Sequence, residues 1–154
     1  MQNLISFNFV YLLASIALSL GYALQYGVKG RLLWPAVLGS TISWLILGFI
    51  EAYVGSTIIA SFLAAVFVSV WAIVFSRVKK APSTIFQIIG VLPLVPGRFI
   101  YLTMVELVEN RVGEAINLGI ETAAISLAIT IAILLVTSTS ALLTHVIGRY
   151  RRKI

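Results

Sequence analysis

Long apolar runs, separated by short polar breaks, organise this chain. They cover residues 4–25, 32–50, 54–76, 84–108 and 117–147. About 20 helical residues cross the ~30 Å hydrocarbon core of a bilayer. The pattern therefore predicts five membrane-spanning helices. Gly39, Ser40, Thr41 and Ser43 form a small, polar patch in the second run. Ser61, Ala65 and Ser69 recur every four residues in the third, which puts them on one helical stripe. Small stripes of this kind let membrane helices approach closely. Thr137, Ser138, Thr139 and Ser140 set four hydroxyls in a row late in the fifth run. They either line a polar path or bond back to their own helix, and packing is the preferred reading.

The fourth run is unlike the others. Pro93-Leu94-Val95-Pro96-Gly97-Arg98 lies in its middle. Proline removes a backbone donor and clashes with the preceding turn. Glycine tolerates unusual dihedrals. Arginine in hydrocarbon costs at least ~2.5 kcal/mol. Such residues persist at mid-membrane where the freed backbone lines a cavity or packs on protein. The fourth helix is thus expected to break.

Composition agrees with a membrane chain. Of 154 residues, 60% are hydrophobic and 10% charged, and the mean hydropathy is +1.07. A soluble domain carries about 25% charged residues. The predicted fold class is all-α, a polytopic membrane helix bundle, with residues 1–154 as a single integral membrane domain. The first run lacks a basic leader and is too long for a signal core, so it is read as a retained helix. The net charge of +6 resides mainly in short loops, where it reports topology and not nucleic-acid binding. With the N-terminus outside and five spans, Lys29, Arg31, Arg77, Lys79, Lys80, Arg149, Arg151, Arg152 and Lys153 all fall on the cytoplasmic side. Arg111 alone falls outside, and Arg98 falls within the membrane. The positive-inside rule favours this N-out, C-in arrangement. A four-span variant with the N-terminus inside is the alternative.

Candidate chemistry centres on the break. A second half-helix starting near Arg98 would aim free N–H groups and its positive dipole end at the membrane interior. The Arg98 guanidinium would add a fork that grips a carboxylate through two parallel hydrogen bonds. The alternative is a plain proline kink, with Arg98 paired to a glutamate or snorkelling outward. Tyr101 falls on the same helical face as Arg98 and can add a hydroxyl. Pro93, Pro96, Gly97, Arg98 and Tyr101 are therefore the substrate-binding or gating candidates. Glu106 and Glu109 are either proton carriers or charges of an acidic loop with Arg111 and Glu114. His145 is read as an interfacial residue. Neither a nucleophile–base pair nor a metal cluster appears in the sequence, so no catalysis, cofactor or metal is expected.

The run Arg77-Val78-Lys79-Lys80-Ala81-Pro82-Ser83-Thr84-Ile85-Phe86, then Gly90-Val91-Leu92-Pro93-Leu94-Val95-Pro96-Gly97 and Tyr101, resembles the threonine/serine exporter family. It is similar to the small, separate-chain version of that family's C-terminal half. The resemblance implies a small subunit of a two-component secondary transporter in the cytoplasmic membrane. Its partners would be the lipid bilayer and a larger membrane subunit carrying the other half. Its substrates would be threonine/serine-type amino acids or a dicarboxylate such as succinate, exported with the proton gradient. The motif carries over to Pro93, Leu94, Val95, Pro96, Gly97 and Tyr101; Arg98 stands beside it. A non-transporting assembly subunit and an oligomeric channel are the alternative functions.

Overall fold

In hydrocarbon a backbone amide has no partner except the chain itself, so each apolar run must close its own hydrogen bonds as helix. The computed structural model, which describes the backbone of residues 9–151 and the side chains of residues 13–143, bears this out. The elements are α1 (Phe9–Gln25), α2 (Leu33–Val54) behind a 3-10 turn (Gly30–Leu32), α3 (Thr57–Lys79), α4 (Ser83–Val91) extended by a 3-10 turn (Leu92–Leu94), α5 (Gly97–Val108) and α6 (Val112–Arg151). No strand occurs among the described residues. Gly30–Val54, Thr57–Lys79 and Val112–Leu143 are each long and apolar enough to cross a membrane, and the bent pair Ser83–Leu94 and Gly97–Val108 is long and apolar enough when its two helices are taken together. α1 is an apolar helix of 17 residues. The start of the first run, the side chain of His145 and the terminal cluster of Arg149, Arg151, Arg152 and Lys153 lie outside the described residues.

The turns are tighter than the polar pattern suggests. Glu51, Ala52 and Tyr53, expected as a loop, continue α2, which ends on Gly55 with a left-handed φ of 69°. Glu51 Oε1 then accepts a hydrogen bond from Thr57 Oγ1 at 2.8 Å across the turn. Arg77 and Lys79 form the last turn of α3, where cations complement the helix dipole. Glu106 lies on α5 and Glu114 in the first turn of α6, so only Glu109, Asn110 and Arg111 connect them. The reason is physical. Polarity marks where side chains reach the interface, whereas the backbone stays helical past that point.

α3 is the central helix, packed against α2, α4 and α6, while α1 rests on α2 and α5 on α6. Its stripe of small residues is the reason. Ala60, Ser61, Ala64, Ala65, Ser69 and Ala72 are all buried. At Gly39 of α2, an added Cβ would lie 2.5 Å from the Trp71 ring. Trp71 is held there, since its Nε1 donates to the Pro35 carbonyl at 2.9 Å. Ser19 and Ser40 hydroxyls meet at 2.7 Å between α1 and α2. Close backbone approach and interhelical hydrogen bonds are what associate helices in lipid, where the hydrophobic effect between helices is absent.

One end of the bundle is basic. Val28 of the α1–α2 turn shares an apolar cluster with Phe86, and Ala81 of the α3–α4 turn packs on it. Lys29 and Arg31 thus stand at the same end as Arg77, Lys79 and Lys80. The acidic Glu51, Glu106, Glu109 and Glu114 lie at or beside the helix termini of the other end.

Candidate functional site

The break is built by its two prolines. Pro93 is the middle residue of the 3-10 turn and offers no N–H to the carbonyl four residues back. Val95 N instead donates to the Leu92 carbonyl at 3.3 Å. Pro96 takes φ −74° and ψ 52°, and Gly97 N donates to the Val95 carbonyl at 2.7 Å. This is an inverse γ-turn centred on Pro96. α5 then starts at Gly97, and the two half-helices meet at 45°. A bend of that size redirects the chain without reversing it. Arg98 lies ten residues from the end of α5, a rise of about 15 Å, close to half the thickness of the hydrocarbon core.

The approach to the break is clamped. Leu94 is buried among Ala64, Ala65 and Val68 of α3 and Ile125 and Ile129 of α6. The Gly90 carbonyl accepts from Ser43 Oγ of α2 at 3.1 Å. A Cβ on Gly90 would lie 2.6 Å from Cγ1 of Val68, so α4 and α3 touch through this glycine. Gly97 differs. It does not use left-handed φ, and a Cβ there would meet nothing within 4 Å.

Beyond the break the chain is open. α5 contains no buried residue. Arg98 and Tyr101 share one face, both exposed, Tyr101 at 68%. No side chain among the described residues pairs with Arg98, so the expected alternative of a glutamate partner within the chain is not met there. Glu106 and Glu109 are instead brought together on Arg111. Arg111 Nη2 donates to Glu106 Oε1 at 3.0 Å while Nε holds the other oxygen. Nη2 also contacts Glu109 Oε2 at 2.5 Å, and Nε lies 3.8 Å from Glu114 Oε2. The hydrogen bond to Glu106, followed by the fields of the three carboxylates, holds the Arg111 guanidinium above its ordinary value.

Gln87 is a polar residue of this region that the sequence reading passed over. It sits half-buried on α4, and its Nε2 donates to Ser69 Oγ on α3 at 3.4 Å. With Thr84, Val91, Leu92 and Val95 it lines a depression of about 320 Å³ beside the break. An amide inside an apolar run was the available signal. Within the hydroxyl run on α6, Thr137 Oγ1 and Thr139 Oγ1 bond back to the carbonyls of Ile133 and Leu135, both at 2.7 Å, while Ser140 Oγ accepts from Arg77 Nη2 of α3. No cluster of metal-ligating residues occurs among the described residues.

Near the N-terminus of α5, Arg98 offers a guanidinium and Tyr101 a phenol, groups that can hydrogen-bond an anion such as a carboxylate. No curated protein and no solved structure matches the chain. The family described as Threonine/Serine exporter, ThrE, matches residues 11–139. That stretch runs from α1 into α6 and contains the whole of the broken helix. The chain therefore belongs to the Threonine/Serine exporter, ThrE, family of membrane exporters.

Proposed function

We propose that this chain is the small subunit of a two-component secondary transporter. In this reading it exports threonine/serine-type amino acids, or a dicarboxylate such as succinate, across the cytoplasmic membrane. The observation that carries the reading is the exposed face of Arg98 and Tyr101 at the break. An arginine turned to lipid near mid-span is costly, so a second protein surface is needed beside it. A larger subunit closing over α5 would turn the open face into an enclosed site. The substrate carboxylate would take the Arg98 fork and the Tyr101 hydroxyl. α4, clamped on α2 and α3, and α5, resting on α6, would shift against each other at Pro93 and Pro96 as access alternates. The basic end favours N-out, C-in orientation by the positive-inside rule.

Export is expected only from cells that carry both this chain and its large subunit, with threonine, serine and succinate loaded and followed over time. Efflux from this chain alone would remove the need for a partner. Absence of efflux for all three, with both chains in the membrane, would remove the assigned substrates.

Protons are the proposed driving ion. Glu106 and Glu109 are candidate carriers, but their ion pairs with Arg111 favour a structural role in the α5–α6 turn, with the carrier on the partner. Arg111 is exposed in these pairs, and ion pairs open to solvent contribute little to stability. Glu106→Gln and Glu109→Gln are accordingly expected to leave proton-driven efflux largely intact. Loss of the pH-gradient dependence in either variant, at normal protein level, would make that glutamate the carrier.

A further inference from the structure

A second cavity lies away from the break. A groove of about 670 Å³ lies between α3 and α6 and extends toward the basic end. Val66, Val70 and Val74 of α3 line it with Leu135, Val136 and Leu143 of α6. At one end its wall changes character. Arg77, Thr139 and Ser140 line it there, and Arg77 Nη2 donates to Ser140 Oγ at 3.4 Å. Lys79 and Lys80 follow within three residues, both exposed.

We propose that this groove binds an anionic phospholipid, with one acyl chain between α3 and α6 and the phosphate at Arg77. The polarity gradient carries the assignment. Val66 to Arg77 spans eleven residues, a rise of about 16 Å along α3. The apolar end points into the bilayer and the cationic, hydroxyl-bearing end lies at its surface, the same order as chain and headgroup in a phospholipid. Basic pockets between membrane helices recognise anionic headgroups in this way. Arginine is the side chain whose planar fork best matches a phosphate. The site is distinct from the break, and the inference stands whether or not the two-component reading does.

The test uses the purified full-length chain equilibrated with equal amounts of phosphatidylglycerol and phosphatidylcholine of the same acyl composition, and native mass spectrometry to count retained lipid. The wild-type chain is expected to retain phosphatidylglycerol in large excess. Arg77→Gln is expected to abolish the preference, and Arg77→Lys to restore part of it. Val70→Phe, at an exposed groove position, is expected to reduce retention with helicity unchanged. Arg31→Gln, at the same end but outside the groove, is expected to change nothing. Inorganic phosphate in excess is expected not to compete. Equal retention of the two lipids, or a preference that survives Arg77→Gln, would overturn the proposal. So would retention that survives Val70→Phe, which would mean adsorption to surface charge. Competition by phosphate alone would make Arg77 a plain anion site. Displacement of the lipid by the large subunit would make the groove a protein interface instead.

Discussion

An Arg98→Ala chain is expected to reach the membrane in normal amounts and to lose most of its export. Arg98 makes no contact that folding depends on. It is exposed, at the start of a half-helix with no buried residue. Its removal should therefore leave the bundle intact, and it even removes a charge that lipid disfavours. What it takes away is the fork at the break. A hydrogen bond to a charged group is worth about 1.5–3 kcal/mol, and each ~1.4 kcal/mol is tenfold in affinity. Substrate affinity should thus fall by roughly one to two orders of magnitude. Arg98→Lys keeps the charge and loses the planar pair of donors, so it should fall in between. Efflux kinetics at matched membrane levels, in cells carrying both subunits, give the comparison. Unchanged affinity in Arg98→Ala would move the substrate away from α5.

The second large effect is expected at Gly90, three residues before the first proline. Replacement by alanine puts a methyl 2.6 Å from Cγ1 of Val68. Val68 is itself 1% exposed and enclosed by Leu94, Ile125 and Ile129, so it has nowhere to retreat. Overpacking of this kind costs about 1–3 kcal/mol. The strain falls on the contact that fixes α4, and the Ser43 hydrogen bond to the Gly90 carbonyl would lengthen with it. Gly90→Ala should lower the thermal midpoint of the purified chain and reduce export together. Gly97→Ala is the control, because a Cβ there meets open space. A Gly90→Ala chain as stable as the parent would mean that α4 is free to slide on α3.

The helices and the break were legible in the sequence because lipid simplifies the reading. Every run must be helix, and Pro93 and Pro96 can only interrupt one. The fourth run was bounded at Thr84 and Val108, against helical ends at Ser83 and Val108. The small residues of α3 were legible as a packing stripe for the same reason. Turn lengths were not legible. Glu51, Arg77 and Glu106 are polar enough to mark an interface, yet their backbones remain helical. Which face of α5 points outward was also hidden. In a soluble helix the apolar side marks the core, but in lipid both sides are apolar and the signal vanishes. The exposure of Arg98 and Tyr101 therefore comes only from the packing of α5 on α6. Gln87 was missed because its partner, Ser69, lies on another helix and no local pattern joins them. Likewise, Gly39 could be read as a point of close approach, but nothing nearby in the sequence named Trp71 as what approaches it.

The chain contains no cysteine, so a single Gly97→Cys makes a clean probe of the break. The measurement is its labelling by a membrane-impermeant maleimide in cells that carry both subunits and still export. If the break faces an aqueous substrate path closed by the partner, the thiol is modified from water, and transported threonine or succinate slows the modification. Modification only by lipid-soluble reagents, untouched by substrate while export continues, would contradict a substrate path at the broken helix.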